Sequence, residues 1–118
     1  MTRLVLMTRL ASVVGGLLML AQSAWAASSA EEIKAALVGN TFQGGMGGGA
    51  YSSYFGPDGK YHDKDGSGDY TITALGVCYP NTNFGCYQAT IKGDQLEWFQ
   101  DGKSQGTGTI AKGNPLNF

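Results

Sequence analysis

The chain has 118 residues, 19 of them glycine, and a formal net charge of −1. That length allows one domain, and the glycines far exceed the roughly 7% of ordinary proteins without the G-X-Y period of collagen. Only 14% of residues are charged and 11% are aromatic, which excludes wholesale disorder.

Residues 1–26 read as a cleaved secretory signal peptide. Arg3 and Arg9 give a positive start, Leu10 to Ala21 is apolar, and Ala24 and Ala26 are the small residues a signal peptidase reads. The apolar stretch is too short for a membrane span of about 20 residues. Cleavage leaves residues 27–118 as a single small domain, periplasmic or secreted, with no stable membrane insertion expected. Both arginines leave with the signal. Six scattered lysines then face nine acidic side chains, which argues against a nucleic-acid partner and against a basic membrane-binding patch.

One short helix is expected over about 29–38. Ser29 and Glu32 fit a capping box. Ile33, Ala36 and Leu37 fall on one face, and Gly39 is a helix stop. So short a helix needs a partner, and its Ile33/Leu37 face is expected against one end of a sheet.

After Asn40 the periodicity becomes two. Strands are predicted at Thr41–Gln43, Tyr51–Phe55 and Lys60–His62, with a turn at Gly56-Pro57-Asp58-Gly59. Asp63–Gly68 reads as a polar loop and Asp69–Leu75 as a fourth strand with Tyr70, Ile72 and Ala74 on one face. Val77–Tyr79 follows. Cys86–Lys92 places Tyr87, Ala89 and Ile91 on one face, and Gln95–Gln100 turns Leu96 and Trp98 inward. Gly93-Asp94 and Asp101-Gly102 are two-residue hairpin signals, and Lys103–Ala111 is a last strand. The pattern predicts a mainly β domain: an antiparallel meander of seven or eight strands forming a barrel or curved sandwich. Phe42, Tyr54, Phe55, Tyr61, Tyr70, Tyr87 and Trp98 are its expected aromatic filling.

Cys78 and Cys86 are expected to pair outside the cytoplasm. The intervening Tyr79–Gly85 segment is rich in turn residues, and C-x-x-C redox spacing is missing.

The run Gly44-Gly45-Met46-Gly47-Gly48-Gly49 precedes Ala50 and contains a G-x-G-x-x-A match. The dinucleotide fingerprint requires a helix afterwards, whereas Tyr51–Phe55 reads as strand. The run is instead a candidate ligand loop, flexible or lid-like. Asp63, Asp65, Ser67 and Asp69 place oxygens at alternate positions with Gly68 as the sixth residue, like the front of a calcium loop. The twelfth position is Ala74, where a glutamate belongs. The same segment is a candidate inhibitory loop.

His62 is the single histidine, and on a strand Asp63 points to the opposite face. Glu97 alternates with Leu96 and Trp98 and is expected at solvent. No catalytic constellation is recognisable. The expectation is therefore a non-catalytic binding module without cofactor, its ligand or envelope partner unidentified. The alternatives are an inhibitor of a lysozyme-type cell-wall hydrolase and a structural envelope protein.

The residues Leu37-Val38-Gly39-Asn40-Thr41, Tyr54–Tyr61, Gly68-Asp69-Tyr70, Cys78, Cys86-Tyr87, Gly93-Asp94 and Gly113-Asn114-Pro115 carry a resemblance over most of residues 31–116. On them the chain resembles a family of short secreted bacterial β-proteins of unknown function. The family usually has Gly-x-Trp where this chain has Gly68-Asp69-Tyr70. The resemblance implies the fold and carries over no catalytic residue. A more distant likeness is to small periplasmic β-barrel inhibitors of C-type lysozyme, whose inhibitory loop carries Ser-Gly-x-x-Tyr. This chain has Ser67-Gly68-Asp69-Tyr70, one residue shorter.

Overall fold

The computed structural model describes residues 26–118. The expected signal peptide lies outside the described residues, Ala26 excepted. The fold is one helix, α1 (Ala30–Leu37), followed by nine strands: β1 (Asn40–Met46), β2 (Gly49–Phe55), β3 (Lys60–Asp63), β4 (Gly66–Asp69), β5 (Thr71–Thr73), β6 (Gly76–Tyr79), β7 (Gly85–Lys92), β8 (Gln95–Gln100) and β9 (Lys103–Lys112). All pairings are antiparallel. The sheet order is β4-β3-β2-β1-β9-β8-β7-β6-β5, a nearly closed barrel. The first and last strands meet in the middle of the sheet, with Phe42 opposite Ile110.

The open seam falls between β4 and β5, which only Tyr70 separates. The alternating pairings make both strands run in the same direction. The descending chain thus pairs first with β3 (Asp69 opposite Lys60) and then with β6 (Thr71 opposite Cys78). Tyr70 anchors the switch. Its N–H donates to Gly59 O at 3.0 Å and its hydroxyl to Gly56 O at 2.8 Å. Its ring stands edge-on to Phe55 at 5.1 Å. The predicted fourth strand is corrected accordingly: only Thr71–Thr73 is strand after the switch, and Ala74 is exposed in the turn to β6. The predicted polar loop Asp63–Gly68 is likewise a hairpin. Its strand β4 carries no apolar residue, so backbone pairing to β3 holds it and no hydrophobic alternation announces it.

The helix closes one end of the barrel. Ser29 Oγ accepts from Glu32 N–H at 3.1 Å, and Glu32 Oε1 accepts from Ser29 N–H at 2.7 Å, the expected capping box. Ser28 ties the helix start to β7, donating its N–H to Ala89 O and accepting from Ile91 N–H. Gly39 ties the far end to β2 by donating to Phe55 O at 2.7 Å. Ile33 and Leu37 are buried in a core with Phe42, Phe55, Tyr70, Val77, Tyr79, Ala89, Leu96 and Trp98. Trp98 is central and 1% exposed. Phe42 and Phe55 lie against it at 5.5 and 6.4 Å between ring centroids.

The segment Gly44–Gly49, expected as a loop, is strand and turn. Gly44, Gly45 and Met46 complete β1, Gly49 opens β2, and Gly47-Gly48 is the two-residue turn with both φ positive. Gly44 has a further reason. A side chain there would strike Thr107 O and the Cα of Gly108, and one at Gly108 would strike Gln43 O. At this pair strands β1 and β9 approach too closely for a Cβ on either side.

Candidate functional site

The end opposite the helix is where β1–β2, β3–β4, β6–β7 and β8–β9 connect, and no other element among the described residues covers it. Strand alternation turns Met46, Tyr51, Tyr61, Asp63, Tyr79 and Tyr87 toward it. Together with Asp65, Gly66, Ser67 and Phe84 they line a cavity of about 460 Å³. That size lies within the range of small-ligand sites, and a barrel of about eight strands is just wide enough to hold one such ligand.

Rings form the walls. Tyr79 is the hub, with Tyr61 at 5.3 Å and 87°, Phe84 at 6.1 Å and 84°, and Tyr87 at 6.1 Å and 74°. Tyr87 then meets Trp98 at 6.5 Å, which joins the cavity wall to the core. Phe84 stands at the rim, 51% exposed. The Cys78–Cys86 disulfide is present, as expected. It lies across β6 and β7 and fixes the loop that carries Phe84 between Tyr79 and Tyr87.

Polar groups sit among the rings. The Tyr51 hydroxyl donates to Asp63 Oδ2 at 3.1 Å, and Asp65 N–H donates to Asp63 Oδ1 at 2.9 Å. Burial pushes the Tyr51 hydroxyl up to about 12. The nearby Ser53 hydroxyl opposes that rise and the Asp63 carboxylate adds to it. Burial also holds Tyr79 well above the ordinary phenol range. Ser53 lies one alternation deeper on β2 than Tyr51. Its Oγ is buried without a hydrogen bond of good geometry, as is Trp98 Nε1.

The residues singled out from sequence are distributed as follows. Of the Gly44–Gly49 run, only Met46 lines the cavity. Asp63, Asp65 and Ser67 all border it. Asp69 does not: its Oδ1 accepts from Lys60 Nζ at 2.6 Å outside the cavity. Among the described residues no three His, Cys, Asp or Glu side chains gather as a metal site would require. Tyr70, at the end of the Ser67–Tyr70 motif, is buried in the core. His62 leans on Tyr54 at 6.1 Å, on the face of β3 opposite Tyr61 and Asp63. Glu97 is half-buried on the outer face of β8, between Thr90 and Thr107.

The cavity tyrosines are what sequence reasoning missed as a site. Tyr61 and Tyr87 were expected as core filling, and their nearness to hairpin ends is the signal that separates mouth from core. No family model, curated protein or solved structure matches this chain.

Proposed function

We propose that this protein is a periplasmic or secreted non-catalytic binding module that takes one small, partly apolar ligand into the open end of its barrel. The observation that carries this reading is the 460 Å³ cavity walled by Tyr51, Tyr61, Tyr79, Tyr87, Met46 and Phe84. Rings supply large contact area at low entropic cost, and their hydroxyls orient a polar group. The amino-terminal signal pattern and the disulfide support the compartment. His62 and Asp63 lie on opposite faces of β3, which favours binding over hydrolytic chemistry.

The neutral fluorophore N-phenylnaphthylamine tests this directly. Its emission is expected to rise and shift to the blue with the natural chain, and to stay at the free-dye level with Met46→Trp, whose indole fills the mouth. Equal melting temperatures establish that both chains are folded. No enhancement with the natural chain, or full enhancement with Met46→Trp, contradicts the proposal.

A further inference from the structure

The cavity has a charge as well as a shape. Among the described residues Asp63 and Asp65 are its only ionisable lining groups besides the tyrosines, and no lysine or histidine lines it. Among the described residues the ion pairs are Lys34–Glu31 and Lys60–Asp69, so neither mouth carboxylate has a cationic partner. Both oxygens of Asp63 already accept hydrogen bonds, from Tyr51 and from the Asp65 backbone. A calcium-like cation needs six to eight oxygens, and this lining does not assemble them. The rest of the lining is mainly aromatic: Tyr51, Tyr61, Tyr79, Phe84 and Tyr87. Tyr61, Phe84 and Tyr87 each stand near-perpendicular to Tyr79, so the rings that line the space do not share one plane. Ring faces attract a soft, weakly hydrated cation electrostatically.

We infer that the barrel mouth binds a compact organic cation, a quaternary or alkylated ammonium, caged by Tyr51, Tyr61, Tyr79 and Tyr87 and neutralised by Asp63 and Asp65. The inference rests on the mouth being a ligand site, as proposed above, and adds the ligand's class. A phenol is neutral at neutral pH in any case, and burial raises the Tyr51 and Tyr79 hydroxyls further. The two carboxylates favour a free cation over a zwitterionic headgroup, because a phosphate beside the ammonium would lie against them.

The experiment compares choline with dimethylbutanol, its neutral carbon isostere, by titration calorimetry on the folded domain. Choline is expected to bind about ten-fold tighter, the ratio a cation over aromatic faces produces. In the double variant Asp63→Asn/Asp65→Asn the advantage shrinks several-fold while dimethylbutanol affinity is unchanged. Phosphocholine binds more weakly than choline. Equal affinity for choline and dimethylbutanol overturns the inference, as does an undiminished advantage in the double variant or tighter binding of phosphocholine. N-phenylnaphthylamine separates the two levels. If it still reports a mouth blocked by Met46→Trp while choline shows no preference, the cation class fails and the binding site stands. If neither probe binds, both fail.

Discussion

The two ends of the barrel are built from the same strands and reach opposite outcomes. At the closed end, α1 packs on β1, β5 and β7 and buries Ile33 and Leu37 in the same core as Phe42, Phe55 and Trp98. At the open end no element among the described residues covers the strands, and Tyr51, Tyr61, Tyr79 and Tyr87 line a cavity. Aliphatic side chains fill volume without needing a partner, so they suit the plug. Tyrosines combine a packing face with a hydroxyl that needs a polar neighbour or water, so they suit a wall that is wet on one side. The supports differ too. A capped helix braces one end; the Cys78–Cys86 disulfide braces the other.

The comparison breaks most visibly at Trp98. Trp98→Ala removes the largest buried side chain of the core and is expected to cost about 3–5 kcal/mol. Phe84→Ala, at the exposed rim, is expected to stay within about 0.5 kcal/mol of the natural chain. Urea unfolding measures both. Similar losses at the two sites would mean that the mouth is as much a part of the core as the plug.

Reduction of the disulfide comes next. It closes a short loop, with a sequence separation of 8, and its loss is expected to cost about 2–3 kcal/mol on the chain-entropy estimate. The sharper expectation concerns place. Amide exchange should accelerate between Tyr79 and Tyr87 while Ile33 and Leu37 keep their protection. Loss of protection at both ends alike would contradict the division of labour.

Much of the closed end was legible in the sequence, because its signals are local. Ser29 and Glu32 cap the helix, Gly56–Gly59 and Gly93-Asp94 turn the chain, and Leu96/Trp98 and Ala89/Ile91 alternate inward as their spacing implies. The open end was not legible, because a cavity is a property of several hairpins at once. Only its nearness to a hairpin end marks Tyr61 in the sequence; whether its ring packs in the core or beside a void depends on how far it stands from α1 along the barrel. The glycine excess divides in the same way. Gly47-Gly48 announces a turn locally, whereas Gly44 and Gly108 are explained only by each other, across strands that are distant in sequence.

The smallest effect is silent at neutral pH and belongs to the mouth. Tyr51 is raised from 10.0 to about 12. A phenol with a raised folded-state pKa contributes stability that is complete below the unfolded value and is lost as pH rises through the folded one. Melting temperature is therefore expected to hold up to about pH 10 and to fall between about pH 10 and 12. Tyr51→Phe should flatten part of that fall. A decline that Tyr51→Phe leaves unchanged would assign the alkaline sensitivity elsewhere.

The central claim is that one end of this barrel is filled and the other receives a ligand. Amide NMR during titration with N-phenylnaphthylamine tests it most directly. The expected result is shift changes confined to Met46, Tyr51, Tyr61, Asp63, Tyr79, Phe84 and Tyr87, with Ile33, Leu37 and Phe42 unmoved. Shifts centred on the helix end, or spread evenly over the outer surface, would contradict it.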